Sequence, residues 1–146
     1  MKVLDVIELE YEDKRKAGML DNDLNVRKSE GTDKIWLCTN HIMEYYIYAC
    51  YFEPQEEILM PELPIAEYYR TYADLCVKLQ KYKRAEDAYK KALCWNPVDL
   101  DSYLGLAECY KNLNMLSRYL DVTKQAYRFC CCLLYTSDAA DDMQCV

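Results

Sequence analysis

Two stretches of the chain, AEYYRTYADLCVKLQKYKRAEDAYKKALCWNP and LDSYLGLAECYKNLNMLSRYLDVTKQAYRFC, align on each other at an offset of 34 residues. A fixed period of this length constrains the fold more than any bulk property. Each copy must be one supersecondary unit that buries its apolar face against its neighbour. Aromatic and small residues fall at matching places: Tyr69 with Tyr103, Ala73 with Ala107, and Ala92 with Ala126. Chance periodicity in an ordinary helical bundle does not place both classes together.

The pattern within the first copy predicts a helical hairpin. Ala73 and Ala85 are small enough to let two helices approach closely, and Tyr69, Tyr82, Tyr89 and Trp95 fill the seams. Glu86–Lys90 and Asp87–Lys91 are i,i+4 pairs in the favourable order, each worth about 0.2–0.5 kcal/mol. Asn96-Pro97 stops one helix, and Asp99 is placed to cap the next.

In the first copy Tyr69, Ala73, Tyr82, Ala85, Tyr89, Ala92 and Pro97 stand at the marker positions of the tetratricopeptide repeat, which this stretch resembles. Tyr72 and Cys76 depart from the family's usual Leu and Tyr. The second copy keeps Tyr103, Leu106, Ala107, Tyr110 and Ala126, but carries Tyr119 at the small position and Thr123 at the aromatic one. The resemblance covers Ile65 to about Cys130, and it implies an all-α fold of antiparallel helix-turn-helix repeats, part of an α-solenoid. The units are 65–98 and 99–131, the second truncated.

The resemblance also implies a concave surface lined by the first helix of each unit. Positions matching its groove sites are Glu67, Arg70, Asp74 and Lys78, then Asp101, Leu104, Glu108 and Lys111. The Lys and Asn clamp that some members use for a C-terminal carboxylate is replaced by Arg70 and Asp74, and Asp74 repels a carboxylate. The expected function is a non-enzymatic interaction module presenting a mixed-charge groove to a peptide or helix of a protein partner. The alternative is a piece of a larger repeat-containing regulator or enzyme whose functional domain is missing.

Before the repeats, Val3, Leu4, Ile7 and Tyr11 recur at helical spacing, with Glu8, Glu10, Asp13 and Lys14 on other faces. They predict an amphipathic helix from Val3 to about Lys16, within an N-terminal segment 1–20. Residues 21–34 read as a polar linker, and 35–64 as a capping helix followed by a Pro-rich loop. Ile35–Cys38 could pair as a short strand. Asn40 is a candidate N-cap, and Ile42, Met43, Tyr46, Ile47 and Cys50 follow a 3.6-residue period. A helix over Asn40–Phe52, capping the N-terminal side of the repeats, is favoured over a strand.

Composition narrows the remaining classes. A formal net charge of −7 and the absence of a basic run disfavour nucleic acid as a partner. The longest apolar run, Tyr45 to Phe52, is too short for a bilayer, and the acids near the N-terminus do not suit a signal peptide, so a cytoplasmic location is expected. Nine cysteines without a C-x-x-C pair argue against a disulfide framework. Three dispersed glycines do not make a phosphate loop. Cys38, His41 and Glu44 form C-x-x-H-x-x-E but lack a fourth ligand, so no metal or other cofactor is expected. A single histidine without a nucleophile turn supports no catalytic arrangement.

The C-terminal stretch CLLYTSDAADD resembles, in one frame over eleven residues, the translation of transposase-adapter DNA used in sequencing libraries. Residues 132–146 are therefore expected to be an adapter-derived tail fused to an interrupted repeat, so the triple cysteine carries no chemistry. Without it the chain has 22 acids against 18 bases. Leu116, Leu120, Tyr127 and Phe129 are then expected on an open face, with self-association there as one consequence.

Overall fold

A computed structural model describes residues 2–9, 15–16 and 34–140, with side chains over 2–7 and 34–131. The described elements are α1 (Lys2–Leu9), β1 (Arg15–Lys16), β2 (Lys34–Trp36), α2 (Ile42–Phe52), β3 (Glu57–Leu59), α3 (Ile65–Lys78), α4 (Tyr82–Trp95), α5 (Leu100–Asn112) and α6 (Leu116–Ala140). The expected linker lies outside the described residues except for Lys34, as do Glu10, Tyr11, Asp13, Lys14 and residues 141–146.

From Ile65 onward the chain is helical, and each helix packs on the next. Ala73 and Ala85 are fully buried, as are Tyr69, Trp95, Tyr103 and Leu106, with Tyr89 nearly so. Alanine keeps the α3–α4 seam narrow while the aromatic rings close its two sides. Two turns built alike make the hairpins. Gln80 and Asn114, one period apart, both adopt the left-handed region, at φ 58° and 57°. Lys81 N–H reaches Cys76 O at 2.8 Å, and Met115 N–H reaches Tyr110 O at 2.9 Å. These are Schellman closures, which satisfy carbonyls that the last helical turn leaves open.

Surface pairing differs in one place from the sequence expectation. Glu86 meets Lys90 at 3.3 Å, but Lys91 reaches Asp5 of α1 at 2.9 Å in place of Asp87. The Lys91 ammonium also stands 5.3 Å from the centre of the Tyr69 ring. Leu4 and Ile7 of α1 pack beside Ile65, Ala66, Tyr69 and Trp95, so α1 covers the start of α3.

The described chain is mostly helical, as expected of an all-α fold, and a small sheet that was not expected is added to it. Its strand order is β1-β2-β3, parallel throughout, with Arg15 opposite Ile35 and Ile35 opposite Ile58. The N-terminal helix is described over Lys2–Leu9, Arg15–Lys16 lie in a strand and not at the end of a helix, and the Pro-rich segment holds a strand at Glu57–Leu59. Two- and three-residue strands are too short to show a period, and their pairing is non-local. The strand alternative for Ile35–Cys38 holds at Ile35 and Trp36. Beyond them Leu37 N–H donates to Leu59 O, and Cys38 N–H donates to Trp95 O, an open carbonyl at the end of α4, each at 2.9 Å.

The helix α2 forms, but its N-cap is His41 and not Asn40. Its buried face also differs. Glu44, Ile47 and Tyr48 are inside, with Tyr51 against the core, while Ile42, Tyr46 and Cys50 are exposed. A helix that is apolar nearly all round gives no moment by which to choose a face. Nor does α2 pack on the start of α3, where a cap was expected; it packs on α6. Phe129, expected on an open face, is fully buried, with its ring centre 4.8 Å from Tyr51 and 5.6 Å from Tyr103. Leu116, Leu120 and Tyr127 are exposed.

The twin turns carry a test. A left-handed backbone strains Gln more than Asn and does not strain Gly. Gln80→Gly should raise stability by about 0.5–1 kcal/mol in urea unfolding, and Asn114→Gly by less.

Candidate functional site

The eight expected groove residues lie on α3 and α5. Glu67, Asp74, Lys78, Asp101, Leu104, Glu108 and Lys111 are exposed, whereas the Arg70 side chain is only 18% accessible. The phenol of Tyr89, on α4, donates to the Asp74 carboxylate, and its ring fills the space where a side chain at position 105 would stand. Only glycine fits there. Burial, the Asp74 hydrogen bond and the nearby Glu108 charge all raise the Tyr89 pKa, so the phenol stays neutral. Asp74 thus binds the hydroxyl directly, and the Glu108 charge on α5 acts on it from farther away. Lys78 and Lys111 sit in the last turns of α3 and α5.

Arg70 and Asp101 open onto a cleft of about 270 Å³, which is also lined by Asn40, His41, Glu44, Ile47, Val98, Asp99 and Leu100. The corner between α4 and α5 organises it. Asp99 holds the N-cap position of α5, but its carboxylate makes no bond to the helix backbone. It instead accepts from Arg70 at 3.0 Å and from the Ser102 hydroxyl at 2.9 Å. The capping role expected of Asp99 is therefore corrected to an ion pair in which Asp99 is buried and Arg70 partly so. Tyr103 donates to Pro97 O at 2.7 Å, closing the same corner.

Glu44 is the residue that the sequence did not single out for this place. Its side chain accepts from Asn40 N–H at 3.2 Å and from the Asn96 amide, with His41 Nε2 3.5 Å away. Burial raises its carboxyl above the ordinary glutamate value. The Asn96 bond pulls partly the other way, and the Asp99 charge adds to the rise. The available signal was its register: Glu44 shares a helical face with Ile47, Tyr48 and Tyr51, so an acid there had to be buried and bonded.

Of the C-x-x-H-x-x-E residues, His41 and Glu44 meet, but Cys38 does not join them as a third ligand. Cys38 is buried with Sγ 4.0 Å from Leu63 O, while His41 is exposed at the start of α2. Among the described residues no three His, Cys, Asp or Glu side chains gather as metal ligands. Also among them, no helix is long and apolar enough to cross a membrane. The chain matches no protein-family model, no curated protein and no solved structure. The arrangement offers charge and hydrogen-bonding groups along two helices, ending in a cleft where Arg70 is already paired with Asp99.

Glu44 gives the site a pH signature. Its carboxyl is raised in the fold, so protonation favours the folded state. The contribution is full below the unfolded-chain value and is lost as pH rises through the folded value. As pH rises through and above the ordinary glutamate range, wild-type stability relative to Glu44→Gln should fall. A difference that does not change with pH over that range contradicts the assignment.

Proposed function

We propose that the chain is a non-enzymatic interaction module of tetratricopeptide type, which takes an extended peptide or a helix along the exposed face of α3 and α5. The observation that carries this reading is the duplication. Residues one period apart share burial, as with Tyr69 and Tyr103 or Ala73 and Ala107, and the two turns repeat the same left-handed closure. Repeats of this kind place function on the exposed face of one helix set while the other set supplies the core.

The charges on that face favour a basic ligand. Arg70 is engaged by Asp99, which leaves Glu67, Asp74, Asp101 and Glu108 as exposed acids against Lys78 and Lys111. Acids outweigh bases toward the cleft, where Asp101 stands beside buried Asp99 and Glu44. A lysine or arginine side chain of the ligand fits that end. Residues 132–146 stand outside the proposed module as translated adapter sequence.

Binding of the whole chain to arrays of basic, neutral and acidic peptides tests the reading. Basic peptides should be retained, with affinity falling as salt rises. The double variant Asp101→Lys, Glu108→Lys should weaken capture by about tenfold or more. Preference for acidic peptides, or capture unchanged by the double variant, counts against it.

A further inference from the structure

The fold contains one helix interface whose two faces each have an exposed counterpart elsewhere in the same chain. On α4, Glu86, Tyr89 and Leu93 are buried, and on α5, so are Ser102, Leu106 and Cys109. These two helices pack on each other, with Tyr89 set against Gly105. One period after the α4 set come Leu120, Thr123 and Tyr127 of α6. Leu120 and Tyr127 are 53% and 69% accessible, and Thr123 is exposed. One period before the α5 set come Tyr68, Tyr72 and Leu75 of α3. Tyr68 and Leu75 are 42% and 54% accessible, and Tyr72 is half-buried. Leu79, the counterpart of Leu113, is also exposed, and α1 leaves this face open although it packs against α3.

We infer that the α6 face of one copy of this chain docks on the α3 face of another, reproducing the α4–α5 interface between molecules. The inference rests on the repeat reading, because it uses the period to map one face onto the other. The exchanges at the contact compensate. Where α4 and α5 set Tyr89 against Gly105, α6 and α3 set Thr123 against Thr71, a smaller residue facing a larger one. Buried Glu86, which needs Lys83 and Lys90, is replaced by Leu120, so this face has no acid to desolvate. Leu116, Leu120 and Tyr127 then meet Leu75, Leu79 and Tyr68, an apolar surface on each side. Because the two faces differ, the contact is head-to-tail and does not close after two copies.

Sedimentation of the full chain under reducing conditions tests this, using Leu120→Glu on α6 and Leu75→Glu on α3. The wild type should form a concentration-dependent series beyond the dimer. Each variant alone should be monomeric, with association weakened about tenfold or more. An equal mixture of the two should form a dimer and stop there, because each variant supplies the face that the other lacks. Both positions are exposed, so circular dichroism should match the wild type. A monomeric wild type at millimolar concentration overturns the inference, and so does a Leu75→Glu variant that still dimerises, which marks an α6–α6 contact. Peptide capture on the same samples separates the two failures. A monomer that still retains basic peptides sinks the docking alone, and loss of both sinks the repeat reading with it.

Discussion

The corner from Trp95 to Ser102 is where the described elements meet. Trp95 gives its carbonyl to the segment after β2, Asn96 binds Glu44 of α2, Asp99 holds Arg70 of α3, and Tyr103 closes onto Pro97. Each group is buried or partly so, and an unpaired one is costly there. Asn96, Asp99 and Ser102 are nearly inaccessible, which is unusual for three polar residues in one turn. The turn is fixed by what it bonds, and so are the directions of α4 and α5 leaving it.

Packing then follows the corner. With α5 set, Tyr103 and Phe129 stack, and α2 lays Tyr51 and Phe52 against Phe129. Aromatic pairs at these separations contribute beyond their buried area. The segment before α3 is therefore not an appendage. It supplies one wall of the cleft and part of the core that covers the inner side of α6. The outer side, with Leu116, Leu120 and Tyr127, has no such cover among the described residues.

The four helices from Ile65 onward were legible because their pattern is local and occurs twice in the sequence. A 3.6-residue pattern with paired alanines and tyrosines gives helix type, turn position and buried face at once. The rest depends on contacts distant in sequence. Nothing local in Glu57–Leu59 shows that it lies beside Ile35, and nothing local in Phe129 shows that Tyr51 covers it. Arg70 and Asp101 were found through the repeat pattern, whereas Glu44 was hidden within an apolar run whose periodicity favoured the wrong face. The capping role given to Asp99 failed for a related reason. The partly buried Arg70 guanidinium competes for the same carboxylate, and a charged partner outweighs a helix N–H.

Hydrogen exchange across the whole chain measures the dependence on this corner most directly. Amides of α2 should be protected to a level close to those of α4 and α5, and Asn96→Ala should strip protection from α2 before it affects the α3–α4 hairpin. Free exchange in α2 while α3 to α6 stay protected contradicts it, because the corner then holds nothing beyond its own two helices.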